Sequence, residues 1–449
     1  MSQLDDAVAK YNKMLESGPF RDLEWAEALH ERMEKAHLSA AGRLICPFLR
    51  PNFISRRQYE ALVRTAESLI GAIDRMEQMV LSNPVLLSRL ELLPAEKMLA
   101  SIDPGYQALE VAARLDSHLN NGNLHFVQYN ADSPTGGGYS DALADLFYDI
   151  PPMKEFRKKY TLTKVGSRKH LLHALLKSYK QFGGTKKPNI AIVEFRSPYG
   201  AGYSEYELFR DFFRQEGYQV EIVAPEQLEY RNRVLRKGNF EIDLVYRRLG
   251  VQEFLIRFDL AHPLVQAYRD RAVCVVNSFR SELAHKKAMF GLLTDETLTA
   301  KFPAAERKAI REHVPWTRLV AATKTTYEDK VIDLLEFITQ NRERLALKPN
   351  DDYSDLHTYL GWEMEASEWE RALKQAMRSP YVVQERVDPV RSVFPLMTFG
   401  FLEFRELQVD VHPHAYLGKV QGCSSWLSTG KTGFSSAAGI APTFILDSK

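Results

Sequence analysis

The sequence predicts an α+β protein with a helical N-terminal segment. Two changes of pattern along the chain support this prediction. From about residue 188, short apolar, β-branched runs alternate with amphipathic runs, as strands and helices do in a layer with parallel pairing. From about residue 345, apolar and polar residues alternate with a period of two, which favours an antiparallel sheet.

The first hundred residues carry apolar side chains at helical spacing. Ser55 is followed three residues later by Gln58, which predicts a capping box at the start of a helix. The apolar positions after it are Leu62, Val63, Ala66, Leu69, Ile70, Ile73 and Met76. We expect an amphipathic helix that packs through this face.

Changes in pattern predict joints near residues 100–105 and 184–188, and with a further boundary after residue 285 we divide the chain into four parts. The first is helical, and the second contains the strand "LHFVQYN" with the loop "ADSPTGGG". The third contains the strand-like runs "PNIAIVEF", "FEIDLVYRR" and "AVCVVNSF", and the fourth contains "RLALKPNDDY" and "YVVQERV". The predicted parts are residues 1–104, 105–187, 188–285 and 286–449.

Composition excludes several classes of protein. With a formal net charge of +1, the chain offers no electrostatic argument for nucleic acid or a membrane as its partner. Its three cysteines are far apart, so neither a disulfide framework nor a thiolate metal site is indicated. The N-terminus lacks an apolar signal region, and no apolar run could span a bilayer, so we expect a cytoplasmic protein.

Oxygen ligands cluster around the strand "LHFVQYN". Gln128 and Asn130 share one face of it because side chains alternate along a strand, and Asp116 lies 12 residues before Gln128. A carboxylate with two amide oxygens can hold Mg²⁺. Arg114 would point the same way as Asp116 in an extended segment and suits a phosphate. Alternatively, Gln128 and Asn130 are surface residues of a half-exposed strand.

Two later runs have features of a nucleotide site. Lys348 ends an apolar strand, where a point charge can meet a phosphate, although a solvated surface lysine is the simpler interpretation. The strand "YVVQERV" ends in Gln384 and Glu385, and its edge could read adenine through the main chain.

The C-terminal part offers two further candidates. His412 and His414 share a strand face beside Asp410, but no third ligand at short range completes a zinc site. A loop rich in Ser, Thr and Gly, predicted from Ser424 to Gly439 with Lys431 inside it, could cradle phosphates through backbone N–H groups. The alternative is a flexible loop.

Taken in order, these motifs resemble one family. The run "RLD…FVQYNADSPTG" resembles the signature of glutathionylspermidine synthetases. The runs "DLVYRR", "VCVVNSFRSELAHKKAMFGLLTDE", "LKPNDDY…LGWE" and "YVVQERV" are similar to those of circularly permuted ATP-grasp proteins. The resemblance covers roughly residues 105–445. It implies a glutathione-synthetase-like ATP-grasp fold, with ATP held between two α+β subdomains.

The resemblance also implies a ligase that uses ATP and Mg²⁺. A carboxylate of a small acid or peptide would be phosphorylated and then attacked by an amine to give an amide. By this resemblance, Arg114 would contact the phosphoryl group in transfer, and Asp116, Gln128 and Asn130 would occupy the Mg²⁺ positions. Ser133 and Thr135 would lie near the acceptor carboxylate. Lys287 and Lys348 would hold the ATP phosphates, and Gln384 and Glu385 would flank the adenine. Lys286 is the rival of Lys287.

Three departures from the family pattern fall on parts that handle triphosphate and metal. Gln128 replaces a metal-binding glutamate, "YSDLHTYLG" replaces a glycine-rich loop, and Trp426 replaces an arginine, for which Lys431 could substitute. Two interpretations follow: a carboxylate–amine ligase, or a degenerate ATP-grasp relative that acts as a binding or partner protein. A generic α/β binding protein would require Asp116 and Lys348 to lie far apart. The N-terminal helices would serve either homo-oligomerisation or the acceptor pocket.

Overall fold

The computed structural model describes residues 2–40, 42–120, 123–195, 205–351, 357–429 and 438–447. The N-terminal hundred residues are mainly helical, as predicted. Their helices are α1 (Gln3–Glu16), α2 (Glu24–Lys35), α3 (Arg56–Ser82), α4 (Pro84–Ser88) and α5 (Pro94–Ser101), and their strands are β1 (Ser39–Ala40), β2 (Arg43–Leu44) and β3 (Asn52–Ser55).

The predicted amphipathic helix is confirmed as α3. Ser55 and Gln58 form the capping box, and six of the seven predicted apolar positions are buried, with Val63 half-buried against the core. The strand β3 was not predicted, because four residues carry too short a pattern. It pairs in parallel with the last strand of the chain, so the N-terminal segment is part of the main sheet.

The second stretch of chain contains the paired strands on which the predicted metal ligands lie. Its elements are β4 (Ala112–Asn120), β5 (Asn123–Asn130), α6 (Gly137–Tyr148), α7 (Pro151–Arg157), β6 (Leu162–Lys164) and α8 (Arg168–Phe182). β4 and β5 are antiparallel, with Arg114 opposite Asn130 and Asp116 opposite Gln128. This register brings all four polar side chains to one end of the strand pair.

The third stretch forms the predicted parallel layer. Its elements are β7 (Asn189–Val193), α9 (Glu205–Gln215), β8 (Gln219–Val223), β9 (Glu229–Arg231), β10 (Val234–Lys237), β11 (Phe240–Glu241), β12 (Leu244–Arg247), α10 (Val251–Arg257), α11 (Pro263–Arg269) and β13 (Cys274–Val276). The strands run in the order β13-β12-β7-β8, and each pair is parallel. Two apolar clusters cover the two faces of this sheet.

The fourth stretch begins with short helices and a small antiparallel sheet. Its elements are α12 (Glu282–His285), α13 (Ala288–Leu293), α14 (Glu296–Thr299), α15 (Ala304–His313), β14 (Thr317–Leu319), β15 (Lys324–Tyr327), β16 (Lys330–Asp333), α16 (Leu334–Gln340), β17 (Leu345–Pro349), β18 (Tyr359–Leu360), α17 (Ala366–Ala376) and β19 (Tyr381–Glu385). The sheet order is β14-β19-β17-β18. Lys348 and Gln384 therefore lie on neighbouring strands.

The chain ends in long strands that return to the N-terminal half. They are β20 (Arg391–Thr398), β21 (Phe401–Tyr416), β22 (Lys419–Ser428) and β23 (Gly439–Leu446). An eight-stranded sheet has the order β3-β23-β22-β21-β4-β5, with β20 paired to β21 and β6 to β23. Because β21 pairs with β4, His414 lies opposite Arg114. The antiparallel pattern predicted after residue 345 is confirmed, apart from the parallel contact with β3.

The predicted phosphate loop between Ser424 and Gly439 is wrong at both ends. Ser424 and Ser425 are fully buried in β22, and Gly439 starts β23. Buried hydroxyls explain the error: Ser425 bonds Asn52 and Thr443 across the sheet, so these serines act as strand residues. Lys431 lies outside the described residues. No helix in the described ranges has both the length and the apolar character required to cross a bilayer.

Candidate active site

A cavity of about 1230 Å³ collects side chains from distant parts of the chain. Its walls come from β4 and β5, the loop after β5, helix α12 and its flank, β17 and β22. Eight residues that the sequence predicted as functional line it: Arg114, Asp116, Gln128, Asn130, Ser133, Thr135, Lys287 and Lys348. Asp116 and Lys348, 232 residues apart in the sequence, thus face a common space.

Arg114 and Asp116 form a two-pronged ion pair within this cavity. The Arg114 Nε and one terminal nitrogen lie 2.7 and 3.1 Å from the two carboxylate oxygens of Asp116. The other terminal nitrogen donates to the Thr135 carbonyl at 2.9 Å. Arg114 therefore joins β4 to the "SPTGGG" loop, and its planar guanidinium is fixed in orientation.

Asp116 is held in its charged form. Burial alone would raise its pKa, but the charge of the Arg114 guanidinium, His412 and the hydrogen bonds from Arg114 hold the pKa well below its usual range. His412 lies 3.6 Å from Asp116 and accepts a hydrogen bond from the Ser117 N–H at Nδ1. Burial lowers the pKa of His412 to about 4, so the ring is neutral near pH 7.

The amides Gln128 and Asn130 are paired with each other. Gln128 Nε2 donates to Asn130 Oδ1 at 2.8 Å, which leaves the Gln128 oxygen directed away from this bond. Asp116, Gln128 and Asn130 thus present one carboxylate and amide oxygens to the cavity. This donor set suits a hard cation that also takes oxygens from a phosphate.

Lys348 is positioned by Gln384. Lys348 Nζ donates to Gln384 Oε1 at 2.7 Å. Gln384 is buried and donates to the Thr317 hydroxyl at 3.1 Å and to the Val127 carbonyl of β5 at 3.3 Å. The amide therefore ties the lysine to the strand that carries Gln128 and Asn130.

The two adjacent lysines of "HKKAM" have different surroundings. Lys286 is only 2% exposed and contacts three carboxylates, at 2.8 Å for Glu282, 3.1 Å for Glu96 and a short contact for Asp351. Lys287 is half-buried and lines the cavity. Of the two, Lys287 is the lysine that can meet a ligand there.

Trp426 covers the guanidinium of Arg114. The Arg114 Cζ lies 5.3 Å from the centre of the indole ring, within the range of a cation–π contact. The Trp426 Nε1 donates to Ser424 Oγ at 3.2 Å, and the same hydroxyl contacts His414 Nε2 at 2.9 Å. At the position where the family pattern predicts a second cation, the Trp426 ring thus lies over the guanidinium of Arg114.

The histidines of β21 lie opposite residues of the neighbouring strands, His412 opposite Ser424 and His414 opposite Arg114. Among the described residues, the groups of three or more close metal-ligating atoms include neither His412 nor His414. Asp410 instead lies 2.6 Å from His118 on β4. These side chains join β21 to its neighbours.

The "SPTGGG" loop is anchored by residues that sequence reasoning missed. Glu205, at the start of α9, accepts hydrogen bonds from the Gly136 and Gly138 N–H groups, each at 2.8 Å. Gly136 has φ +112°, and a Cβ on Gly138 would lie 2.8 Å from Glu205 Cγ, so both positions require glycine. Arg248, buried beside Glu205 at 3.2 Å, bonds the Pro134 carbonyl. One acid in a helical run carries no sequence signal for this role.

The two residues predicted at the adenine lie on different sides of β19. Gln384 faces Lys348, as described above. Glu385 accepts from the Tyr327 hydroxyl at 2.8 Å and from Arg344 at 3.2 Å, and lines a second cavity of about 830 Å³. The large cavity therefore contains the predicted metal and phosphate residues, while Glu385 lies outside it.

We expect stability to fall in acid partly through His412. Its folded-state pKa of about 4 is below the ordinary value of 6.5, so the unfolded chain binds the proton first. The stabilisation is complete above about pH 6.5 and is lost as the pH falls towards 4, at roughly 1.4 kcal/mol per pH unit for one group. His412→Asn keeps an acceptor for the Ser117 N–H and should give a shallower loss. Urea unfolding at several pH values measures the free energy of unfolding as a function of pH for both proteins.

The matched control for this prediction is His173→Asn, at an exposed position. It should show the wild-type dependence of unfolding free energy on pH. An unchanged slope in His412→Asn would contradict the assignment of this titration to His412.

Comparison with known proteins identifies the fold. No protein-family model matches the sequence, and no curated protein matches it. Solved structures do match. A glutathione synthetase-like effector from Globodera pallida, in its apo form, has 13% identity and a TM-score of 0.57, with 96% of this chain and 98% of that chain covered.

Two other structures match more weakly. A Methylobacillus flagellatus KT protein, provisionally assigned as a gamma-glutamylcysteine synthetase, has 11% identity, coverage of 87% of each chain and a TM-score of 0.41. A RimK-domain ATP-grasp protein from Sphaerobacter thermophilus has 15% identity, coverage of 56% of this chain and 89% of that chain, and a TM-score of 0.29. The first similarity carries the conclusion: this chain has the glutathione synthetase-like, ATP-grasp fold that the motifs predicted.

Proposed function

We propose that this protein is an ATP-dependent carboxylate–amine ligase of the circularly permuted ATP-grasp group, similar to glutathionylspermidine synthetases. One observation carries the proposal: Arg114, Asp116, Lys287 and Lys348 meet in one cavity although they come from remote parts of the chain. At about 1230 Å³, the cavity is larger than a typical small-molecule site of roughly 300–1,000 Å³, so it has room for a nucleotide and a small acid.

The residues present fit ATP and Mg²⁺. Two lysines and one arginine supply positive charge for a triphosphate, and Asp116 is ionised at neutral pH. Asp116 and the amide oxygens of Gln128 and Asn130 would hold the metal, and phosphate and water oxygens would complete its coordination. When bound, ATP supplies the phosphoryl group that activates the acceptor carboxylate as an acyl phosphate, with release of ADP.

The chain's own groups would act by position and charge. Lys287 and Lys348 would hold the phosphates, while Arg114 would neutralise charge on the group in transfer. Ser133 and Thr135, on the anchored loop, would orient the acceptor carboxylate. An amine would then attack the acyl carbon, release phosphate and leave an amide. The substrates are a small acid or peptide and an amine, with no role for nucleic acid or a membrane.

The direct test uses purified protein with ATP, Mg²⁺ and a panel of amino acids, short peptides and amines. ADP release that requires both an acid and an amine is expected, together with nucleotide binding by calorimetry. Asp116→Asn is the inactive control. Absence of both ADP release and nucleotide binding would contradict the proposal.

A second candidate function is a non-catalytic ATP-grasp relative that serves as a binding or partner protein. A specific observation favours it: Arg114 is engaged by Asp116 and covered by Trp426, and Gln128 supplies an amide where the family pattern has a glutamate. In this arrangement, the groups that would meet a triphosphate satisfy one another.

Gln128→Glu separates the two candidates. If the protein is a ligase, the second carboxylate should strengthen Mg²⁺ binding. A gain of about 1.4 kcal/mol in binding free energy would lower the Mg²⁺ concentration required for activity roughly tenfold. ADP release at limiting Mg²⁺ measures this shift, with Gln128→Leu as the control that loses the oxygen ligand. Background activity in wild type and Gln128→Glu alike would favour the binding protein.

A further inference from the structure

Two buried carboxylates and a half-buried one meet on the opposite side of β5 from the active-site cavity. Asp74 and Glu77 lie one turn apart on α3, and Glu110 lies just before β4. One oxygen from each lies within 4.8 Å of the others. Glu77 is fully buried, and Glu110 is only 6% exposed. We call these three residues the α3 carboxylate cluster.

Burial raises the pKa of all three carboxyl groups, and the protein around them supplies no ion-paired cation among the described residues. Among the described ion pairs, none joins a lysine, arginine or histidine to Asp74, Glu77 or Glu110 within 4.0 Å. Both oxygens of Glu77 and both oxygens of Glu110 lack a hydrogen-bond donor in the described structure. A buried carboxylate without a donor or counter-charge is costly.

A second buried triad in the same chain provides the contrast. Glu96, Glu282 and Asp351 also place oxygens within 4.8 Å of one another. They surround the ammonium group of Lys286, which contacts all three. In this second triad, the charge of the carboxylates is balanced by a lysine of the same chain. The α3 carboxylate cluster has no such lysine among the described residues.

An independent polar group also faces the cluster. Tyr129 is 2% exposed, and its hydroxyl has no hydrogen-bond partner among the described residues. Burial raises the pKa of this hydroxyl well above its usual value, and the charges of Glu110, Asp74 and Glu77 raise it further. Tyr129 lies between Gln128 and Asn130, so its side chain leaves the opposite face of β5 from theirs.

We propose that the α3 carboxylate cluster and the Tyr129 hydroxyl form a structural site for one divalent, oxygen-ligated cation such as Ca²⁺ or Mg²⁺. Carboxylate and hydroxyl oxygens are the ligands such cations take. Oxygens about 2.3–2.6 Å from Ca²⁺ lie at most about 5 Å apart, which the 4.8 Å spacing permits. A bound cation would balance the buried charge and join α3 to β5, directly behind the residues proposed to meet Mg²⁺·ATP.

The test uses full-length protein stripped with a chelator and measured without nucleotide. Calorimetry and thermal unfolding with Ca²⁺ and, separately, Mg²⁺ should show one equivalent bound and a higher midpoint for at least one ion. Glu77→Gln should weaken binding by about 100-fold or more, and Tyr129→Phe, which removes only a hydroxyl, by about tenfold. Asp388→Asn, at an exposed position outside both proposed cation sites, should keep the wild-type affinity.

The outcomes separate this site from the proposed ligase. If neither ion binds to the stripped protein, the carboxyl groups hold protons instead and the proposal is overturned. It is also overturned if Asp116→Asn abolishes binding while Glu77→Gln retains it. None of these measurements involves nucleotide or turnover. Absence of ligase activity would therefore not contradict the cation site, and absence of cation binding would not contradict the ligase.

Discussion

Lys348→Met is expected to bind ATP roughly 10- to 150-fold more weakly than the wild type while remaining folded. The lysine lines the cavity and is held by Gln384, so its ammonium is oriented before a nucleotide arrives. A hydrogen bond to a charged group contributes about 1.5–3 kcal/mol, and each 1.4 kcal/mol is a factor of ten in affinity. Calorimetric titration with ATP and Mg²⁺ measures the loss.

The control for this variant is Lys330→Met, because Lys330 is exposed at the start of β16, away from the cavity lining. It should bind ATP as the wild type does. Stability should change little in Lys348→Met, since the side chain is only half-buried at the cavity wall. Equal affinities for ATP in Lys348→Met and the wild type would remove this lysine from the proposed phosphate site.

Lys286→Met is expected to reduce the free energy of unfolding by about 3–5 kcal/mol, because removing one partner of a buried ion pair leaves the other charge uncompensated. Burial alone would lower the pKa of Lys286, but Glu282, Asp351 and Glu96 raise it above its usual value, so the lysine is charged. Removing it leaves three buried carboxylates without their cation. Urea or thermal unfolding measures the effect.

The neighbouring residue provides a matched control. Lys287→Met removes the same charge one position later, at a half-buried side chain that faces the cavity. Its unfolding free energy should stay within about 1 kcal/mol of wild type, and its affinity for ATP should fall. The reverse result, a stable Lys286→Met and an unstable Lys287→Met, would exchange the two assignments.

Local patterns predicted much of the secondary structure. The Ser55 capping box and the apolar spacing after it predicted α3, because a helix is built from contacts three and four residues apart. Alternation along "LHFVQYN" predicted that Gln128 and Asn130 would share a face, and they bond each other. The loop prediction failed at Ser424 and Ser425 because polar, turn-forming residues can be buried in a strand when hydroxyls pair across a sheet.

Contacts between distant segments could not be predicted from any of these patterns. Glu205 anchors the "SPTGGG" loop from 67 residues away, and Gln384 joins Lys348 to Val127 across the cavity. The adjacent residues Lys286 and Lys287 have the same chemistry and the same local sequence, yet Lys286 is enclosed by carboxylates and Lys287 lines the cavity.

The order of motifs and the periodicity of apolar residues were sufficient to predict the fold and eight of the residues that line the cavity. The tertiary structure decided which of these residues can contact a ligand. It also decided that Arg114 pairs with Asp116 and that three carboxylates meet behind β5. The physical reason is that hydrogen bonding along a strand or helix is local. Burial and charge are set instead by whatever segment packs against a residue, however remote it is in the sequence.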